Sequence, residues 1–255
     1  MAEPAARPEP FKHYRVTVER IVPMTPTVKS YTLALQDDAR IRFKPGQYVQ
    51  LHVPKGEGTV AKPYSIASPP DHEREIELCI KRVEGGYVSN YCDGLVGGES
   101  FEIQGPIGKF HLQEPVDSDL AFLATGTGVA PFRSMLRGLF PTDPGQTPWA
   151  PYRFRADRHV WLIFGVRSEE EILYEQEFRL MAERYPTFHF IPTVSRPKRW
   201  AGASGYVQDQ AVRLLREQGN LHVYVCGLLP MIEGVRAALK GVGFKREQIH
   251  YEIYT

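Results

Sequence analysis

The chain has 255 residues, longer than one average domain, so two domains are the natural expectation. Hydrophobic residues make up 42% and charged residues 24%, and the formal net charge is +1, which excludes a strongly basic nucleic-acid binder. The three cysteines, Cys79, Cys92 and Cys226, are too few and too irregularly spaced for a disulfide framework or a zinc or iron–sulfur ligand set, so no metal and a reducing, cytoplasmic setting are expected.

Residues 1–12 open on an Ala-, Pro- and Glu-rich stretch, read as a disordered tail. They lack the basic-then-apolar order of a signal peptide, and no stretch approaches the roughly 20 apolar residues of a membrane span. Short alternating runs follow at 14–18, 30–35, 47–53, 75–83 and 100–103, separated by turn chemistry such as Lys44-Pro45-Gly46-Gln47 and Gly105-Pro106-Ile107-Gly108. Strands at this spacing predict an antiparallel β-barrel over residues 13–115, interrupted by one helix near 87–95. The basic side chains Arg40, Arg42, Lys44, Lys55 and Lys62 outnumber the acids around them in sequence.

Residues 114–118 read as a linker, and beyond them the pattern changes. Continuous apolar runs at 120–124, 159–165, 188–191 and 222–226 predict buried parallel strands. Helical spacing is expected around Phe132, Met135, Leu136 and Leu139, and over 168–184, 207–217 and 229–240. Residues 118–255 should therefore form an α/β domain with a doubly wound parallel sheet, with 141–157 as an irregular surface excursion.

Thr125-Gly126-Thr127-Gly128-Val129-Ala130-Pro131 joins the first of these strands to a helix. Its glycines permit a tight turn and a close approach to a pyrophosphate at the helix N-terminus, with Pro131 in the first turn. A plain strand-to-helix turn is the other reading. No acid follows the second strand where an ordinary NAD site would hold the ribose; Arg167 stands there, and Ser195-Arg196 follows the third strand. Two arginines and a hydroxyl suit an additional phosphate, because guanidinium binds phosphate as a fork, although helix capping or solvation would also account for them.

Taken in order, these motifs resemble the ferredoxin–NADP reductase family, in its plant-type branch. Residues 62–68, with Lys62, Tyr64 and Ser65, are similar to its flavin motif. Residues 78–83, with Cys79, Ile80, Lys81 and Arg82, resemble the strand under the flavin's ribityl and phosphate. Residues 86–91, with Tyr87, Val88 and Ser89, are similar to its pyrophosphate-binding helix start. Thr125, Gly126, Gly128 and Pro131 lie in what resembles its nicotinamide-dinucleotide loop. Ser195, Arg196, Tyr206 and Gln208, supported by Arg167, are similar to its 2′-phosphate and adenine contacts. Cys226, Gly227 and the tail 251–254 are similar to the elements beside its nicotinamide. Lys62 stands where the family usually has arginine, which keeps the charge and loses the fork. Trp200-Ala201-Gly202 is similar to a feature of NADH-using relatives that reduce oxygenases.

The resemblance implies FAD and NADP as cofactors and an acidic one-electron carrier, ferredoxin or flavodoxin-like, as partner to a monomeric oxidoreductase. It implies that Tyr64 stacks on one flavin face and Tyr254 covers the other, that Ser65 bonds near flavin N5, and that Cys226 and Glu252 flank the nicotinamide. On the residues alone, Cys226 would be a buried small hydrophobe and Glu252 a solvated acid. The rival readings are an NADH-dependent reductase component of an oxygenase system and a non-catalytic flavin-binding module.

Overall fold

The alternating runs of the first half form strands whose apolar sides face one another. The computed structural model describes residues 11–142 and 147–254, so the expected tail lies, apart from Phe11 and Lys12, outside the described residues. Six strands make the first sheet: β1 (His13–Thr25), β2 (Val28–Leu35), β3 (Tyr48–Lys55), β4 (Gly58–Ser65), β5 (Glu75–Lys81) and β6 (Ser100–Ile107). They are hydrogen-bonded antiparallel in the order β4-β3-β6-β1-β2-β5. An antiparallel bridge between Ile66 and Leu78 brings the two edge strands together and closes the sheet, and Ala67 N–H donates to the Glu77 carbonyl at 2.8 Å beside it. Val16, Val18, Leu33, Val49, Leu51, Ile76, Leu78 and Ile103 fill the interior and are essentially inaccessible. Helix α1 (Tyr87–Asp93) covers one end and buries Val88 and Cys92.

The apolar runs of the second half form a parallel sheet of β7 (Asp119–Thr125), β8 (Val160–Val166), β9 (Phe188–Val194), β10 (Ala203–Ser204), β11 (Leu221–Leu228) and β12 (Ile249–Tyr254). The order β10-β9-β8-β7-β11-β12 reverses direction between β7 and β11, which makes the carboxyl ends of these two strands the switch point where ligands bind in such sheets. Helices α2 (Ala130–Leu139), α3 (Glu175–Arg184), α4 (Val207–Leu215) and α5 (Leu229–Gly241) cover the faces.

The helix expected over 168–184 is shorter than predicted. A single 3-10 turn at Glu169–Glu171 comes first, and Tyr174 then adopts a left-handed φ of 55°, so regular α-helix begins only at Glu175. The expected excursion at 141–157 is anchored where it is described: the Ala150–Tyr152 turn buries Tyr152 completely, and Val116 N–H donates to the Tyr152 carbonyl. One apolar cluster runs from the parallel sheet into the barrel, taking in Val28, Ala67, Cys79 and Phe110 together with Phe122, Phe132 and Tyr224. The Phe110 ring lies 5.8 Å from Phe132 and 5.9 Å from Tyr224, so aromatic packing joins the two sheets.

Candidate functional site

The flavin-like motif lies on the seam that closes the barrel. Pro63, which lacks an N–H, is tolerated because β4 is an edge strand, paired only to β3 over this stretch. Tyr64 is half-buried against the barrel core, and burial raises its phenol pKa. Ser65 is buried, and Lys62 is exposed with no carboxylate partner among the described residues.

At the start of α1, Gly85 has a φ of +72°, and a Cβ built there would meet no heavy atom within 4 Å, so the space beside this turn is open. The Ser89 hydroxyl accepts from Val83 N–H at 3.2 Å and donates to the Gly86 carbonyl, and the Asn90 amide donates to both the Val83 and Gly86 carbonyls. These bonds tie the turn to the helix, whose first N–H groups carry no side-chain cap. Lys81 and Arg82 are exposed just before it. Tyr87 is exposed, donates its hydroxyl to the Pro54 carbonyl and lies under Lys55. Cys79, Ile80 and Val88 turn their side chains into the core, so only their backbone groups are available to a ligand. Burial pushes the Cys79 thiol up to about 12.

Across from this, β7 ends in Thr125 and passes through a 3-10 turn, Gly126–Val129, into α2, with Pro131 in the helix's first turn. Gly126 has a φ of +53° and open space beside it. Gly128 is needed for close approach, because a Cβ there would collide with the Cys226 carbonyl oxygen. Gly227 answers it, since a Cβ there would come within 2.5 Å of Thr125 Oγ1. The residues fit a dinucleotide: both turns leave room for a chain of phosphates beside uncapped N–H groups.

The two halves meet at one cluster. The Tyr254 hydroxyl donates to Ser65 Oγ at 2.9 Å, and Ser65 in turn donates to Glu252 Oε1 at 3.4 Å. Cys226 pairs in register with Glu252 and is fully buried. Burial, followed by the nearby Glu252, holds its thiol well above the ordinary value, against a hydrogen bond from Tyr254. Burial raises Glu252 to about 7, opposed by the Ser65 hydroxyl. Tyr254 pairs with Leu228, so it is a strand residue rather than a frayed end.

At the other end of the nucleotide sheet, Arg167 follows β8 and Ser195-Arg196 follows β9, brought together by Arg196 N–H donating to the Arg167 carbonyl at 2.8 Å. Both guanidinium groups are exposed and carry no ion pair among the described residues. Two of the nearby acids are tied to backbone: Glu171 accepts from Arg167 N–H and Glu169 from Arg199 N–H. Tyr206 is 63% exposed at the start of α4, open to a flat partner. Gln208 lies on the α4 face toward α5, its amide 3.8 Å from where a Cβ on Gly234 would stand.

The basic cluster counted in the sequence is smaller in space. Arg40 and Arg42 both pair with Glu73, and Lys44 pairs with Glu114, which leaves Lys55 and Lys62 without carboxylate partners. Sequence reasoning also missed Arg133, which bonds Ala67, Glu77 and Glu177 at the junction of the two sheets. Its signal was an arginine beside Phe132 on an otherwise apolar helix face, but nothing local named its partners.

Residues 15–112 match the oxidoreductase FAD-binding domain family and residues 122–237 the oxidoreductase NAD-binding domain family. A ferredoxin–NADP reductase B of Sorangium cellulosum is 36% identical over 96% of this chain and 98% of its own length. The reductase component of phenol 2-monooxygenase from a Pseudomonas species is 31% identical over 100% of this chain, which spans 69% of that protein. Among solved structures, a cytochrome P450 reductase from Amycolatopsis superimposes with a TM-score of 0.84 at 28% identity, covering 100% of this chain and 73% of that one.

Proposed function

The chain belongs to the ferredoxin–NADP reductase family of flavin- and nicotinamide-binding oxidoreductases, and on that premise we propose that it moves electrons between NADPH and a one-electron protein carrier through non-covalent FAD. The observation that carries this reading is the meeting of Ser65, from the barrel, with Cys226, Glu252 and Tyr254, from the ends of β11 and β12. Hydride chemistry needs a flavin and a nicotinamide face to face, and this cluster stands between the segments we assign to the two cofactors.

Bound flavin supplies the conversion between two-electron hydride and single-electron transfer. Tyr64 offers one face for the ring to stack on, and Lys62, Arg82 and the uncapped turn before α1 offer charge and donors to its pyrophosphate. Ser65 Oγ orients the polar edge. Cys226 stays a neutral thiol and packs as a small side chain where the nicotinamide enters, while Glu252 holds a proton on its carboxyl up to about neutral pH. Tyr254 covers the remaining face and keeps water out until the nicotinamide displaces it.

The choice of NADPH is supported by Arg167 and Arg196, whose guanidinium groups carry no ion pair among the described residues, by the Ser195 hydroxyl beside them in the fold, and by the engagement of Glu169 and Glu171 with backbone N–H groups. The carrier we propose is an acidic protein of the ferredoxin or flavodoxin kind, drawn by exposed cations of the barrel such as Lys55. A second reading, an NADH-dependent reductase serving an oxygenase, draws on the loop after Arg196, where Trp200 Nε1 donates to the Ala203 carbonyl and the ring lies over Gly202. Steady-state ferricyanide reduction with NADPH and NADH side by side tests both, with the heat-released flavin identified by chromatography. FAD and faster turnover with NADPH are expected. Faster turnover with NADH would favour the second reading, and no reduction by either would sink both.

A further inference from the structure

Arg133 is a buried guanidinium at the end of the first turn of α2, five residues beyond Gly128. It reaches out of the nucleotide sheet's own layer into the barrel. Nη1 donates to the Ala67 carbonyl at 3.0 Å and to Glu77 Oε2 at 2.9 Å, while Nε donates to Glu177 Oε2 at 2.7 Å. Ala67 lies two residues after Ser65, and Ala67 and Glu77 are themselves joined by the backbone bond that closes the barrel. The guanidinium therefore grips both sides of the barrel seam beside Ser65, from a helix that begins at the end of the Thr125–Val129 turn.

The partners are themselves held. Glu77 Oε1 accepts from the Ser30 hydroxyl at 2.6 Å and from the Tyr174 hydroxyl at 3.3 Å. Glu177 Oε1 accepts from Arg137 at 3.2 Å. The Tyr174 ring lies 4.4 Å from the Arg133 guanidinium carbon, face-on as a cation–π partner, and its left-handed backbone is the break that separates α3 from the preceding turn. Two arginines balance two glutamates, so every buried charge in the network has a partner.

Cohesion between the sheets does not depend on this network, since Phe110, Phe132 and Tyr224 already pack across the junction. The burial behind such contacts is non-directional, and ring pairs tolerate a range of tilts, so they set an angle only loosely. A planar fork bonded to three separate elements does fix one. We propose that Arg133 is a positioning residue, which holds the nicotinamide loop in register with the flavin motif and so sets the distance over which hydride passes. This rests on the reductase reading of the preceding subsection. Reaction rates depend steeply on such placement, and a shift of about 1 Å costs on the order of 100-fold.

The test uses the full chain with Arg133→Lys, which keeps the charge and loses the fork, and Glu77→Gln, which removes one charge at nearly constant shape. In the flavin-loaded protein, anaerobic single-turnover reduction by NADPH is expected to slow by about 10- to 100-fold in Arg133→Lys and by about tenfold in Glu77→Gln. Flavin content and NADP affinity should stay within about twofold of wild type, because neither residue touches a ligand. In the flavin-free chain, amide exchange should quicken together at 65–67 and 125–129, by about tenfold, which a defect local to α2 would not produce. Should Arg133→Lys fail to fold, Glu77→Gln carries the same two readouts. A reduction rate within twofold of wild type, or exchange faster only within α2, would overturn the proposal. A wild-type flavin that neither dinucleotide reduces would overturn the functional reading instead, while the exchange result still decides whether Arg133 couples the two segments.

Discussion

The two ends of the proposed dinucleotide site are built on opposite terms. At the nicotinamide end, Ser65, Cys226, Glu252 and Tyr254 are buried or half-buried, joined by hydrogen bonds and strand pairing, and carry no ion pair among the described residues. At the adenosine end, Arg167, Arg196 and Tyr206 are exposed, and neither arginine carries an ion pair among the described residues. A buried, mutually bonded cluster can hold atoms to fractions of an ångström, which chemistry needs. Exposed cations on loops add affinity for a charge and can change from one relative to another without disturbing the fold. On this contrast, substitutions at the first end should damage turnover, and those at the second should change which dinucleotide is preferred.

The largest effect expected is at Ser65, which accepts from Tyr254 and donates to Glu252. Ser65→Ala should lower kcat by about 100-fold with either dinucleotide, the usual consequence of deleting an oriented donor at a reacting centre. Retained FAD with unchanged kcat would break the contrast at its stronger end. Next comes Arg196→Ala. A hydrogen bond to a charged group contributes about 1.5–3 kcal/mol, and exposure places this one toward the lower figure, so kcat/KM for NADPH should fall by about 10- to 30-fold while that for NADH barely moves. Equal losses for both would show that Arg196 does not read the 2′-phosphate.

How much of this was legible follows from the range of each interaction. The continuous apolar runs of β7, β8 and β11 and the alternation in β1 to β3 are local patterns, and the fold class could be read from them. β4 was hidden because Lys62 and Pro63 lie on an exposed edge with little apolar signal. β12 shows alternation too weak to read, with its outer residues Tyr251 and Ile253 exposed, and only the motif resemblance pointed to it. The helix over 168–184 was overextended because the left-handed turn at Tyr174 is held by contacts with Glu77 and Arg133, far off in sequence. Likewise, Cys79 and Val88 lie in segments singled out by motif, yet strand alternation and helix face turn their side chains inward.

A smaller effect distinguishes the ends by pH. Glu252 has its pKa raised by burial to about 7, so across the window from its ordinary value to about 7 the folded chain keeps a proton that the unfolded chain has released. Stability from this group therefore falls as pH rises through that window. Ionisation also places an unpaired negative charge beside the reacting centre. Flavin reduction by NADPH should thus decline by up to about tenfold as pH rises from 6 to 8, one pKa unit being about 1.4 kcal/mol. Glu252→Gln should flatten that limb, and its Tm should lose less than the wild type's over the same rise. Parallel profiles for the two proteins would assign the titration to another group. No such limb is expected for Arg196→Ala beyond the wild-type one.

The smallest effect is the most specific to the geometry, and it lies with Tyr254. Its backbone is fixed by pairing with Leu228 and its hydroxyl by the bond to Ser65, and on the reading proposed above its ring occupies the place the nicotinamide enters. Aromatic stacking adds about 0.5–1.5 kcal/mol beyond area burial, enough to hold the ring down yet little enough for another ring to displace it. Tyr254→Ser removes that competitor. FAD should stay bound, because Tyr64 holds the other face. NADP should bind about fivefold more tightly, as roughly 1 kcal/mol implies. The nicotinamide's own stacking would then supply more of the binding for either dinucleotide, and the preference for NADPH should narrow. A gain in affinity made at the buried end would thus weaken a choice made at the exposed end, and the two regions would be linked through one bound molecule. Turnover should fall if oxidised nicotinamide then leaves too slowly, with new long-wavelength absorbance on adding NADP as the sign of a stacked complex. Unchanged kinetics with both dinucleotides and no such absorbance would show that Tyr254 is a terminal strand residue with no part in admitting the nicotinamide.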